Sequence, residues 1–238
     1  MSTTHLRADI GVLFIRGDDA VSFVDGLSTN LIPTESGLAV RTVFTDRAAK
    51  VIASTTALVR QEGVVLLVHQ ASLKALMSHL QPRKLGQDVA LMDLSTRNHV
   101  LYETDPDMDL AVGTWKTTDD TTTVRVHDAL CIHVVAGEIK REPESQVEEW
   151  TAWRVEHRWP EHGIEITSAR HPYACGLESL VHESKGCYLG QEVLTRMRSR
   201  GRTGWALVQG SVDDFATDTI TTQCEGQALA IVRTRDLQ

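Results

Sequence analysis

One stretch concentrates residue types that do chemistry: Lys185-Gly186-Cys187-Tyr188-Leu189-Gly190-Gln191-Glu192-Val193-Leu194-Thr195-Arg196. Gly186 and Gly190 permit turns or close backbone approach that larger residues resist. A helical pattern begins directly after them. A cysteine just ahead of a helix N-terminus faces unpaired N–H groups and the positive end of the helix dipole, and Lys185 adds a local cation. These influences favour thiolate over thiol, which makes Cys187 a candidate nucleophile near neutral pH. A basic stripe follows at Arg196, Arg198, Arg200 and Arg202. From Lys185 to Arg202 there are five basic residues and one acid, a local +4 in a chain of formal charge −8.

Each feature also has a plainer reading. A lone intracellular cysteine is most often a small buried residue. An arginine run is commonly a solvated face or a set of ion-pair partners. Trp150 and Trp153, at near-helical spacing, read as core rather than as a ligand platform. On residue chemistry alone the reading stops at an α+β protein with one conspicuous thiol.

The elements that must position these residues follow from patterning. Gly11–Arg16, Leu38–Phe44, Val51–Arg60 and Gly63–His69 read as strands, with Gln61-Glu62-Gly63 closing a hairpin between the last two. Asp18 or Asp19 can cap a helix carrying Ala20, Phe23, Val24 and Leu27 on one face. A second amphipathic helix is predicted over Ala71–Leu80, burying Leu73, Leu76, Met77 and Leu80 before Pro82. Short strands are predicted at His99–Glu103, Leu110–Trp115, Thr121–His127 and Cys131–Ala136. A helix over Glu144–Trp159 ends at Pro160. Residues 161–184 read as irregular, one short helix lies within Gly186–Arg200, and strands return from Thr203 to Val232. Strand-helix-hairpin-helix order favours α+β over a parallel α/β sheet.

Composition narrows the classes. The 238 residues carry 24 basic and 32 acidic side chains, with 42 % hydrophobic and 24 % charged. These are globular averages and exclude disorder, collagen and long coiled coils. The acidic balance argues against a surface that grips nucleic acid. Cys131, Cys175, Cys187 and Cys224 form no C-x-x-C pair, so zinc-ribbon or finger spacing is absent and no metal site is expected. The first residues lack an apolar signal-peptide core. The longest apolar run, Val64–Val68, is far short of the ~20 residues that span a bilayer. The expectation is a cytoplasmic protein with reduced thiols and no membrane contact.

At Lys185–Glu192 the chain resembles the YgfZ-type folate-binding proteins, whose signature reads K-G-C-Y-x-G-Q-E. These are relatives of the glycine-cleavage T-protein, an aminomethyltransferase. The resemblance extends to Ile15-Arg16-Gly17-Asp18-Asp19-Ala20 with Phe23 and Gly26, and to Trp150, Glu156 and Pro160 within a W-x-x-x-x-x-E-x-G-x-P pattern. It also takes in Pro172 and Leu177. Thr45-Asp46-Arg47-Ala48-Ala49-Lys50 stands where the family has a D-x-K-G-type turn, and Arg158 where relatives have glycine. In total it covers roughly residues 8–95 and 148–205.

The resemblance implies an α+β, T-protein-like folate-binding fold with antiparallel sheets, packed helices, interleaved subdomains and an abbreviated C-terminal β-barrel. It divides the chain into a core of 1–95 and 146–202, an inserted strand-rich subdomain of 96–145, and a C-terminal β module of 203–238. It implies tetrahydrofolate or a derivative as cofactor, with Glu156 gripping the pterin, Trp150 covering it, and Arg154 or Arg196 holding its glutamyl carboxylates. Trp150 and Glu156, six residues apart, differ in direction by roughly 240° on a helix, so they do not share a face. The T-protein's catalytic aspartate falls at Ile52-Ala53-Ser54-Thr55, where this chain has no carboxylate for proton transfer. The T-protein also lacks a cysteine at the position of Cys187.

Those departures favour an accessory factor in iron–sulfur cluster assembly or repair, and in cluster-dependent tRNA modification, over a one-carbon transferase. Cys187 is then its functional thiol, with Lys185 and Tyr188 beside it and Gly186, Gly190, Gln191 and Glu192 shaping the loop. Its partners are folate and the assembly machinery or its clients. The alternatives are a folate-dependent aminomethyl transferase, and a scaffold whose arginine stripe docks an acidic partner or RNA.

Overall fold

The computed structural model describes residues 2–139, 147–201 and 203–237. The chain forms two compact units, one of 1–44 with 53–145, the other of 45–52 with 146–238. This is a different partition from the three segments drawn on sequence: 96–145 groups with the first unit, and 203–238 with the second.

The first unit holds two five-stranded antiparallel sheets. One is built from β2 (Ile10–Arg16), β3 (Ala39–Thr45), β4 (Val51–Arg60), β5 (Gly63–His69) and β6 (Ala90–Asp93), in the order β3-β4-β5-β2-β6. The outer end of β3 and the first residues of β4 belong to the second unit with the turn they flank. Val64–Val68 on β5 is buried throughout. Strands covered on both faces lose the alternation of half-buried ones. Helices α1 (Ala20–Leu27) and α2 (Gln70–Leu80) pack on β5, inserting Phe23 and Val24 from the first and Leu73, Leu76 and Leu80 from the second. The β4–β5 hairpin has the expected position and turns through Gln61-Glu62. Gly63 is required there: it has φ +144°, and a Cβ would lie 2.1 Å from the Ile15 carbonyl oxygen.

The other sheet has the order β1-β7-β10-β9-β8, from β1 (Thr3–Leu6), β7 (Asn98–Thr104), β8 (Trp115–Thr118), β9 (Thr121–His127) and β10 (Leu130–Ala136). Two expectations need correction. The strand predicted over Leu110–Trp115 begins only at Trp115. Gly113 has φ +81° and the Thr114 amide turns back to the Ala111 carbonyl, which breaks extended pairing before it. The Trp115 indole N–H then donates to the Leu38 and Val59 carbonyls, 3.1 Å each, anchoring the strand's start. Asp19 occupies the α1 N-cap but makes no side-chain cap bond; its carboxylate accepts the Asp88 amide instead, at 2.8 Å. Strands β1 and β6, four residues each, were not anticipated because so short a run carries no periodicity.

The second unit packs α3 (Val147–Glu156) on an open three-stranded sheet, β11-β13-β12, from β11 (Trp205–Ser211), β12 (Ile220–Cys224) and β13 (Gln227–Arg233). Val155, Leu207, Leu229 and Ile231 form the core between them. The helix expected over Glu144–Trp159 is shorter at its C-terminus, and its first three predicted residues lie outside the described ones. Arg158 at φ +48° ends it, in the left-handed conformation that glycine adopts without strain. The Trp159 amide then closes back on the Arg154 carbonyl. Helix α4 (Gln191–Ser199) lies within the predicted stretch.

Candidate functional site

The 185–192 loop is held by the β3–β4 turn, residues 45–50, which belongs to the same unit. Asp46 builds that turn: one carboxylate oxygen accepts the Ala48 and Lys50 amides, each at 2.8 Å. Ala49 sits there at φ +61° and is fully buried. Gly190 docks against it. With φ +86°, a Cβ at Gly190 would stand 2.6 Å from the Asp46 carbonyl oxygen and 2.9 Å from the Ala49 Cα. The Thr45 hydroxyl donates to the Leu189 carbonyl at 2.5 Å, fixing the approach. Gly186 has no such reason: its Cβ direction is open. One glycine of the pair is a steric necessity.

Gly190 is the N-cap of α4, and Gln191 Nε2 donates to the Lys185 carbonyl at 2.8 Å, closing the loop. Glu192 lies in the first turn and Arg196 and Arg198 in the last, the arrangement the helix dipole favours. Leu194 is buried with Ala49, Tyr173 and Val181, and Tyr188, Val193 and Met197 pack on that cluster. Burial, with the neighbouring Tyr173 phenol, pushes the Tyr188 hydroxyl up to about 12, so it stays neutral at physiological pH. Lys185 is 6 % exposed. Cys187 is exposed, three residues before the N-cap. Cys131 and Cys175 are buried and pushed up to about 11, chiefly by loss of water, while Cys224 is partly buried.

The basic stripe is divided in its use. Arg198 donates to the Val181 carbonyl at 2.7 Å, covers the Tyr173 ring at 5.8 Å and pairs with Glu183 at 3.5 Å. Arg196 and Arg200 are exposed, and Arg202 lies outside the described residues.

Helix α3 uses its marked residues differently. Trp150, 8 % exposed, stacks on Trp153 with ring centroids 5.2 Å apart, and its indole N–H donates to Glu161 Oε2 at 2.8 Å. Trp153 stacks in turn on His157 at 4.3 Å. Arg154 is buried. Its Nη2 donates to Glu165 Oε2 at 2.5 Å and reaches Thr222 Oγ1 at 3.4 Å, while Nε donates to the Trp159 carbonyl at 3.2 Å. Glu165, 0 % exposed, also accepts the Thr222 hydroxyl and the Glu161 amide, at 2.7 and 2.8 Å. The partners of that carboxylate among the described residues all lie in the same unit. Glu156, on the same helix, is exposed, and its backbone carbonyl accepts Gln209 Nε2.

Of the residues assigned to folate, Trp150 and Arg154 thus hold α3 in place, and Glu156 and Arg196 have exposed side chains with no bond to another of the described residues. The partners Glu161, Glu165 and Thr222 were not singled out on sequence; nothing local marks three polar residues that meet Arg154 across as many as 68 positions of chain. Ile52-Ala53-Ser54-Thr55 opens β4 without an acidic group. Among the described residues no three His, Cys, Asp or Glu side chains gather as a metal site, and no helix is long and apolar enough to cross a membrane.

No protein-family model matches the chain, and no curated protein does. Among solved structures it is similar to the glycine cleavage system aminomethyltransferase T of Bartonella henselae. The TM-score is 0.80 at 13 % identity, covering 98 % of this chain and 79 % of that one. The fold is therefore the α+β fold of that aminomethyltransferase. A looser likeness, TM-score 0.40 at 18 % identity over 57 % of this chain and 75 % of the other, is to the heterotetrameric sarcosine oxidase of Corynebacterium sp. U-96. It adds nothing to the fold argument.

Proposed function

We propose that this chain binds tetrahydrofolate on its aminomethyltransferase-like fold and works through the Cys187 thiol as an accessory factor in iron–sulfur cluster assembly or repair, including the supply of cluster-dependent tRNA modification. The observation that carries this reading is the exposed Cys187 on a loop pinned by Gly190, in a chain whose β4 opens without a carboxylate. Aminomethyl transfer needs a group that moves a proton at the reacting nitrogen. None stands at Ile52–Thr55. A solvent-facing thiol on a braced loop suits brief engagement with a client's iron or sulfur. One thiol supplies too few ligands to keep a cluster within a single chain.

For the folate, the side chains present fit in part. Glu156 is exposed, so it can accept paired hydrogen bonds from a pterin edge, and the exposed Arg196 can hold a glutamyl carboxylate. Trp150 and Arg154 support the helix that carries Glu156 and are not ligand contacts in this reading. The bound folate would supply a one-carbon or reduced-pterin group. The protein's part is to orient it.

Two measurements test the reading. Tetrahydrofolate titrated into the full chain should quench intrinsic fluorescence saturably, with binding weakened in Glu156→Gln and Arg196→Ala. Cells that depend on this chain for iron–sulfur enzyme activity should fail to recover with Cys187→Ala. Full recovery by Cys187→Ala removes the thiol from the mechanism, and no binding at millimolar tetrahydrofolate removes the folate.

A further inference from the structure

The first unit contains a cavity of about 430 Å³, lined from both of its sheets. That is within the roughly 300–1,000 Å³ of small-molecule sites. Strand register builds its main wall. Val65, Phe14 and Met92 are direct cross-strand partners on β5, β2 and β6, so their side chains share one face of the sheet. Val12 and Leu94, two residues along, extend that face. The second sheet contributes Val134 and Ala136 from β10, with the paired Thr117 and Thr122 from β8 and β9. Leu13 and Ile15, on the other face of β2, are fully buried. On the cavity side the cover is incomplete: Phe14 is half-buried and Met92 is 40 % exposed. A row of hydrocarbon therefore borders open space. None of the residues marked on sequence for folate or thiol chemistry lines it.

The charges of the lining are answered by one another or by water. Arg60 covers the Trp115 ring at 4.6 Å from the centroid and donates to the Thr122 hydroxyl at 2.8 Å. Burial lowers its affinity for a proton, and the Glu62 carboxylate counters that loss. Asp120 is engaged within the chain. Arg16 and Asp119 are exposed, where water solvates them. A charged ligand would compete with these partners or give up its own hydration. A hydrocarbon displaces only water from apolar side chains, which favours it without any matching charge.

We propose that this cavity is a second small-molecule site, which takes an uncharged, mainly hydrocarbon ligand against the row of Val65, Phe14 and Met92. The site lies wholly within the first unit and does not depend on Cys187, Glu156 or Arg196. The probe is 1-octanol, titrated into the full chain by calorimetry. Hexanol and heptanol form the shorter series, and octanoate and octylamine are the charged controls of equal length. Binding should be saturable and one-to-one, tightening about fourfold with each methylene from hexanol to octanol. Neither ion should bind more tightly than the alcohol. In protein labelled at its methionine methyl groups, the NMR signal of Met92 should move on saturation. That of Met197, in the second unit, should stay. Ala136→Trp, at an exposed position of the lining, should abolish binding while the melting temperature holds. Arg16→Ala should change the affinity by no more than about twofold. The proposal is overturned by no saturation up to the solubility limit of octanol, or by no gain along the alcohol series. Tighter binding of either ion, an unmoved Met92 signal, undiminished binding in Ala136→Trp, or a loss of about tenfold or more in Arg16→Ala overturns it equally.

Discussion

On α3, Trp150 and Arg154 turn into the second unit and bond to Glu161, Glu165 and Thr222, whereas on the 185–192 loop Cys187 and Glu192 face water. Both segments carry residue types that recognise ligands, and both are anchored by polar contacts. In the helix the anchoring uses the conspicuous side chains themselves. The loop is anchored by backbone: a glycine approach, a threonine hydroxyl on a carbonyl, and a glutamine amide on another. A side chain committed to a buried partner is unavailable to a ligand. One presented from a backbone-held loop remains free.

The contrast can be broken by measurement, most severely at Arg154. Arg154→Ala leaves the Glu165 carboxylate buried without its cation, and urea unfolding should show a loss of about 3–5 kcal/mol. A loss below about 1 kcal/mol would mean that α3 is not held by this pair. Next comes Gly190→Ala. It combines an overlap with the 45–50 turn and a left-handed backbone, and should destabilise by about 2 kcal/mol. Faster amide exchange at Ala48 and Lys50 would locate the damage in the turn.

Alkaline pH gives a smaller effect. Cys175 has its folded value raised from 9.0 to about 11 by burial, so the unfolded chain releases the proton first. Stability then falls as pH rises from about 9 towards about 11, with a contribution on the order of 1–2 kcal/mol. Cys175→Ala should flatten that slope in urea titrations across the window, and an unchanged slope would show that the thiol is not responsible. Cys187→Ser is the smallest perturbation. Stability should stay within about 0.5 kcal/mol. In native wild-type protein, iodoacetamide should label Cys187 ahead of Cys131 and Cys175, as read by peptide mass spectrometry. Labelling of all these at one rate would contradict the burial of the other two.

Legibility followed the range of the interactions. The hairpin of β4 and β5 and the helix α2 were readable because apolar runs and amphipathic spacing are local consequences of burial. The start of β8 was misread: Leu110–Trp115 has a strand-like composition, but the turn at Gly113 and the indole bonds to Leu38 and Val59 decide where pairing begins. The partner of Arg154 was illegible for a related reason. An arginine looks the same in sequence whether its carboxylate partner is a ligand's or Glu165's, 11 residues away.

Patterning along the chain was sufficient for the α+β class, for most strands and helices, and for the prominence of the Lys185–Glu192 segment, because each depends on neighbours within a few positions. Which marked residues are free depended on folding. Gly190 meets Ala49, Arg154 meets Thr222 and Arg16 shares a cavity with Val134 only when distant segments close on one another. Burial is a property of the packed chain: it encloses Trp150 and Cys175, leaves Cys187 in water, and opens a chamber beside Arg16 and Arg60 that no spacing of residues announces.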